Sequence, residues 1–455
     1  MNAPDATSAF EHAEMDELRP CMEGMVPSIM ATVAPDGTPN VAYISQVYHV
    51  DARHVALSFQ FFNKTRQNLL AHPRSTVLLL HPRTGRFYRL HLRYERTETE
   101  GPVFESMKAQ LAGIASHGGM ADVFHLRGAD IHAVLAIERL PAETMPMALP
   151  APPARPNPLM VLRRVSTGLS AARSLDTLLE AALDALEREM GVRHAMVLIL
   201  DASTQRLYTV ASRGYATSGV GSEIAIGHGV IGVAARERTP IRINHMTTAQ
   251  RYNQAMRQGM EGAGSTDIPY PGLPQPRSQL AAPLLSADRV LGVLFVESGQ
   301  DLRFDFEDED LLVTLAGQLA AGIDLMHESE EPCGEADALP GEAPVAAASA
   351  LLRVRRYRRD DSIFVNNAYL IKGVAGAILW KLLNDHRGGR SEFTNRELRL
   401  DPSLRLPDVS DNLEARLLLL HRRLSEQCPA LRLQKTGRGC FRFDALAPVE
   451  LAESA

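Results

Sequence analysis

The chain has 455 residues at a formal net charge of −6, with 45 % hydrophobic and 22 % charged residues, an ordinary globular balance that needs roughly two to four separate cores. No apolar run approaches the roughly 18 residues of a membrane span, and the first residues lack a basic-then-apolar secretory leader. Cys21, Cys333, Cys428 and Cys440 are widely spread with no metal-type spacing, so reduced thiols in a cytoplasmic setting are expected. Cys428 and Cys440 read as core-filling side chains or, alternatively, as a redox pair.

Two stretches interrupt the regular patterning. Residues 141–158 are proline-rich and read as a stiff linker, and residues 328–349 are acidic and rich in Ala, Gly and Pro and read as a looser one. They divide the chain into domains at 15–140, 159–327 and 350–446.

The first domain opens with strand-like runs from Ser28, Asn40 and His54, with Ala34-Pro35-Asp36-Gly37-Thr38 supplying hairpin chemistry. A helix starts at Asn63 and stops at Pro73, and strands resume from Thr76 and Tyr88; a small closed antiparallel barrel is the expected product. The runs ATVAPDGTPNVAYIS and SFQFFNKTRQNLLAHPR resemble the FMN-binding split barrel of the pyridoxamine-phosphate-oxidase-like family. The resemblance implies FMN, with Lys64 and Thr65 at its phosphate and Asn68 nearby, since a helix start carrying a cation and a hydroxyl suits phosphate. Thr32, Ser45 and Ser58 are the implied ring and ribityl contacts. The C-terminal Arg and His pattern that oxidase members of the family use on their vitamin substrate is missing here. His117, His125 and His132 leave haem as a second cofactor candidate.

The second domain reads as two helices, Leu159 to Leu169 and Asp176 to Met190, then strands from Ala195, Arg206, Ile241, Gln279 and Arg289, and a closing helix from Glu307 to Met326. The stretches GHGVIGVAARERTPIRI, SQLAAPL and RVLGVLFVES resemble a GAF domain, which implies a small-molecule sensor, dimeric through its first and last helices, or a spacer that binds nothing. Gly227, Gly229 and Gly232 have GxGxxG spacing but no preceding βαβ context, so a dinucleotide fingerprint is rejected. A ligand would lie under the segment between Asn244 and Pro276, with His245, Tyr252 and Tyr270 as contacts.

In the third domain Leu413, Leu417, Leu420 and Leu424 recur at helical spacing, which leaves Asn412, Arg416 and Arg423 on another face, with Arg422 beside them. Alternation then takes over, and Gly437-Arg438-Gly439 separates two strand-like runs as a hairpin tip, with Lys435 close by. Between Leu351 and Ala445 there are 19 Lys and Arg against 11 Asp and Glu; this part is basic by 8 charges, which leaves −14 for the rest. Such asymmetry points to a polyanion, and Arg353, Arg355, Arg356, Arg358 and Arg359 suit backbone phosphate. A solvated basic helix beside an ordinary hairpin has the same pattern. The order of elements, with a second short helix opened by Thr394, resembles the winged-helix DNA-binding domain of response-regulator-type transcription factors. It implies double-stranded DNA as partner, read by Asn412, Arg416, Arg422 and Arg423 and gripped by Lys435 and Arg438.

The expected whole is a multidomain α+β chain: an N-terminal split β-barrel, a central GAF α/β/α sandwich and a C-terminal winged helix. Its expected function is a homodimeric, one-component, ligand- or redox-responsive transcription regulator. The alternative is an FMN-dependent oxidoreductase with appended regulatory domains.

Overall fold

A computed structural model describes residues 11–12, 14–22, 28–60, 63–117, 125–141, 156–244, 268–287, 289–328, 351–404, 406, 413–437 and 439–454. Both linkers lie almost wholly outside these residues. The N-terminal domain is an eight-stranded antiparallel sheet made of β1 (Glu11–His12), β2 (Ser28–Val33), β3 (Pro39–Ile44), β4 (Val47–Asp51), β5 (His54–Phe59), β6 (Arg74–Leu80), β7 (Phe87–Glu98) and β8 (Gly128–Arg139). The strand order is β3-β2-β6-β7-β8-β5-β4, with β1 added against β8. Strand periodicity sends Met30, Val55, Leu57, Val77, Leu79, Leu90 and Leu92 into one interior. The β2–β3 hairpin turns at Gly37, φ +88°, where Asp36 accepts the Thr38 amide at 2.9 Å. Among the described residues, α1 (Met15–Leu18), α2 (Lys64–Ala71) and α3 (Pro102–His117) accompany the sheet.

The central domain has the order β11-β10-β9-β14-β13-β12, from β9 (His194–Asp201), β10 (Arg206–Arg213), β11 (Glu223–Ala225), β12 (Ile241–Ile243), β13 (Ser278–Ser286) and β14 (Arg289–Ser298). On one face lie α4 (Pro158–Ser170), α5 (Leu175–Met190) and α7 (Phe306–Glu328). Helix α5 shows why: Ser174 and Thr177 close a capping box, Leu175, Leu178, Leu179, Ala182, Leu183 and Leu186 make one buried stripe, and Gly191 ends it in the left-handed region. The other face carries α6 (Gly229–Glu237).

Helix α3 belongs to two cores. Phe104 and Met107 pack on the barrel's Ala56, Ala129 and Ile131, while Ala109 enters the cluster under α6. Gln110 donates to the Arg242 carbonyl at 2.9 Å, and the Gly229 amide donates to the Ser116 hydroxyl at 3.0 Å.

Two central-domain glycines give opposite predictions. A Cβ on Gly292 of β14 would sit 2.0 Å from the Leu198 carbonyl oxygen of β9, whereas one on the exposed Gly317 of α7 meets nothing within 4 Å. Gly292→Ala is expected to cost roughly 1–3 kcal/mol through strand displacement. Gly317→Ala is expected to add about 0.5–1 kcal/mol by helix propensity. Denaturant midpoints moving in the same direction would contradict this reading.

The C-terminal domain contains β15 (Leu352–Tyr357), β16 (Ser362–Val365), β17 (Ala368–Ile371), α8 (Gly373–Arg387), β18 (Glu392–Thr394), α9 (Asn395–Leu400), α10 (Leu413–Gln427), β19 (Leu431–Gly437), β20 (Cys440–Ala445) and β21 (Val449–Ser454). Its strands form two sheets, β17-β16-β15-β21 and β18-β20-β19. Thr394 and Glu397 cap α9 reciprocally. The chain past Ala445 adds β21 parallel to β15, and its Glu450 and Glu453 answer Arg353, Arg356 and Arg358. These arginines, expected to be free for phosphate, are thus paired at the surface, where ion pairs hold weakly. Cys428 is a free buried thiol and Cys440 is disulfide-bonded, so the two do not form a pair with each other.

Candidate functional site

The barrel's cavity, about 160 Å³, lies between β3, β5 and the start of α2. Ser45, Ser58 and Thr65 line it, together with Tyr43, Phe59, Gln60, Arg66 and Asp130, which the sequence did not point to. Thr32 and Asn68 do not line it. Asn68 Nδ2 donates to Thr32 Oγ1 at 3.1 Å, and Asn40 Nδ2 bridges Thr32 and Thr65 at 3.3 and 3.0 Å, so these amides and hydroxyls tie α2 to β2 and β3. Lys64 is exposed at the first turn of α2 and outside the lining. The cation of the cavity is Arg66, two residues on.

Arg66 is already engaged. It pairs with Asp130, donates to Thr97 Oγ1 at 2.7 Å, and lies over the Phe59 ring with its guanidinium carbon 4.3 Å from the centroid. The Thr97 hydroxyl donates to Asp130 Oδ1 at 2.6 Å and faces Tyr94 Oη at 2.8 Å. The hydroxyls, together with buried Gln60, whose Nε2 has no partner, fit carbonyl and hydroxyl groups such as those of a flavin ring and its ribityl chain. The phosphate end of FMN does not fit as well, because Arg66, the cation among the described lining residues, is neutralised by Asp130.

Neither of the two described histidine candidates for haem reaches the cavity. His132 is fully buried and outside the cavity lining, with Nδ1 on the Asp130 carbonyl at 2.8 Å. His125 is exposed, and the His117 side chain lies outside the described residues. Burial, more than any other influence, pushes the His132 imidazole below its ordinary value and keeps it neutral. The unfolded chain therefore binds more protons near this position, and the stability it confers is present above about pH 6.5 and lost as the pH falls below it. The barrel's unfolding temperature is expected to drop between about pH 7.5 and 5.5, less steeply in His132→Asn; an equal slope in both proteins would refute this.

In the central domain His245 and Tyr252 lie outside the described residues. Tyr270 is present beside Glu297, which is buried at the end of β14 with Oε1 on the Leu273 amide at 2.7 Å and Oε2 on Gln279 Nε2 at 3.1 Å. Burial raises the carboxyl of Glu297, and Tyr215 faces it from the end of β10. Neither Glu297 nor Tyr215 was singled out in the sequence, because each sits among apolar strand residues or in a turn.

The largest correction concerns α10. Its leucines do anchor it, but its second face is also covered: Arg416 and Arg423 are 5 % and 6 % exposed, and Leu418 and Leu419 are buried as well. Arg416 pairs with Asp201 at 2.8 Å and lies over the Tyr208 ring at 4.6 Å. Arg422 donates to Asp176 at 2.6 Å, to Glu180 at 2.8 Å and to the Val210 carbonyl at 3.1 Å. Arg423 donates to the Leu370 carbonyl of its own domain through two nitrogens, each at 3.0 Å. The physical reason is that a helix apolar on most of its circumference is driven to bury most of it, while α5 and β9 supply carboxylates, and β10 a backbone carbonyl, for Arg416 and Arg422. Burial alone would raise the Asp201 carboxyl, but Arg416, Ser203 and Thr204 together hold it below the usual carboxylate range. Lys435 is half-exposed and paired with Glu414 at 2.8 Å; Asn412 and Arg438 lie outside the described residues.

Comparison with known families agrees with the first two domains. Residues 15–137 match the family model described as pyridoxamine 5'-phosphate oxidase, and residues 172–324 match the GAF domain model. The chain therefore contains a split-barrel domain of the flavin-binding type followed by a GAF domain. No curated protein matches it. Among solved structures, the GAF domain of an Acinetobacter phosphoenolpyruvate-protein phosphotransferase is similar at 24 % identity over 38 % of this chain and 96 % of that one, TM-score 0.32. An FMN-binding protein from Syntrophomonas wolfei is similar at 16 % identity over 28 % and 86 %, TM-score 0.24. HupZ of Group A Streptococcus is similar at 20 % identity over 29 % and 96 %, TM-score 0.23. Among the described residues no helix is long and apolar enough to cross a membrane.

Proposed function

We propose that the chain is a ligand-responsive regulator in which the barrel and the GAF domain are the sensing modules and the C-terminal domain is a winged helix that grips duplex DNA once it leaves the GAF domain. The observation that carries this reading is that two of the three guanidinium groups of α10, those of Arg416 and Arg422, are answered by Asp201, Asp176 and Glu180, carboxylates standing where phosphates would. The helix cannot face the GAF domain and a major groove together, so in this reading the docked arrangement is the closed state of the regulator. A pair of chains would present two such helices, matching a two-half-site operator.

Leu418 and Leu419, both buried against the docked face, favour a second reading, a C-terminal domain that stays docked as a structural extension. Duplex binding at low salt separates the two. The Asp176→Lys/Glu180→Lys chain is expected to shift DNA that the unaltered chain leaves free, with an affinity that falls steeply as salt rises. Absence of any shift in either protein supports permanent docking.

A further inference from the structure

We infer that the barrel cavity takes an uncharged, planar, polar ligand, a flavin without a terminal phosphate being the model case, and that Asp130 is the residue that turns a phosphorylated ligand away. Asp130 lies on β8 between Ala129 and Ile131, whose side chains pack under α3. Strand alternation therefore aims its carboxylate the other way, into the cavity. There it is 4 % exposed and closes a ring with Arg66 and Thr97, in which each member contacts both of the others.

A guanidinium held by a carboxylate, a hydroxyl and an aromatic face is a settled group. A phosphate ester brings about −1.5 to −2 charges at neutral pH. To use Arg66 it must take the guanidinium from Asp130, which leaves a buried carboxylate next to a second anion. Lys64 is exposed on α2 and does not enter the lining, so it does not replace Arg66. An uncharged ligand meets no such conflict. The Ser45 hydroxyl, the hydroxyl protons of Ser58 and Thr65, whose oxygens already accept from the Gln46 amide and from Asn40, and the unpartnered Gln60 Nε2 remain for its carbonyl and hydroxyl groups, and Tyr43 offers aromatic surface for a ring.

This inference rests on the reading of the barrel as a ligand-binding module. It is tested by titrating riboflavin and FMN separately into the full chain and following flavin fluorescence or heat. The wild-type chain is expected to bind riboflavin about tenfold or more tightly than FMN, a preference set by like-charge repulsion. Asp130→Asn retains an acceptor for Thr97 and Arg66 and is expected to abolish or reverse the preference. The wild-type comparison stands whether or not that variant folds. FMN binding as tightly as riboflavin in the wild type, or an unchanged ratio in folded Asp130→Asn, overturns the role of Asp130 and leaves the barrel a ligand site. Failure of both flavins to bind overturns the inference together with the reading of the barrel on which it rests.

Discussion

Asp201→Ala is expected to release the C-terminal domain from the GAF domain while both stay folded. The substitution takes the carboxylate from Arg416, which is 5 % exposed and 2.8 Å from it, and removing one partner of a buried pair costs about 3–5 kcal/mol. That cost falls on the docked arrangement rather than on either fold. Leu413, Leu420, Leu424, Phe441 and Phe443 of the C-terminal domain lie in a buried cluster that runs on into the α4, α5 and α7 layer of the GAF sheet, while the layer under α6 is a cluster apart. What is weakened is the preference for the closed state, which is then left to the apolar contact of Leu418 and Leu419 and to the half-exposed pairs of Arg422 with Asp176 and Glu180. Small-angle scattering is expected to show a larger radius of gyration for Asp201→Ala than for the wild type, with unchanged helix content by circular dichroism. Wild-type dimensions with a single lowered unfolding transition would mean that the GAF and C-terminal domains form one inseparable core.

Arg66→Ala carries the second large effect, in the barrel. Asp130 would keep its bond from Thr97 but lose its cation, and a carboxylate buried to this degree without a counter-charge is expected to cost about 3–5 kcal/mol. Arg66→Lys recovers only part of it, because an ammonium point charge cannot serve Asp130 and Thr97 in the forked geometry of a guanidinium while lying flat on Phe59. Amide exchange of β5, β7 and β8 under denaturant reads the barrel separately from the other domains. A loss below about 0.5 kcal/mol would mean that the pair behaves as a solvated surface pair.

Local chemistry was the part most legible in the sequence. The Asp36-Gly37 turn, the Thr394 cap of α9, the apolar stripe of α5 and the leucine anchors of α10 all formed as their spacing requires. Each depends on residues a few positions apart. The second face of α10 was misread although its signal was present: Leu417, Leu418, Leu419 and Leu420 run without interruption, and a helix with such a run has no single outward side. Reading its arginines as solvent-facing treated charge as exposure, whereas Asp176, Glu180 and Asp201, more than 200 positions away, make their burial affordable. The barrel shows the same limit. The helix start is legible in the sequence, but which cation of its first turn, Lys64 or Arg66, faces the cavity is not, because the direction of that side chain depends on where Asp130 of β8 arrives. Glu297 likewise looked like the end of an apolar strand until the Leu273 amide and Gln279 closed around it.

The most direct test is the affinity of the opened full chain for duplex DNA, measured by fluorescence anisotropy at one low salt concentration for the wild type and for Asp201→Ala. A helix shared between GAF carboxylates and DNA phosphates predicts at least about tenfold tighter binding by the opened chain, with a steeper loss of affinity on adding salt. An Asp201→Ala chain that scattering shows to be extended, yet binds duplex no better than the closed wild type, would contradict it.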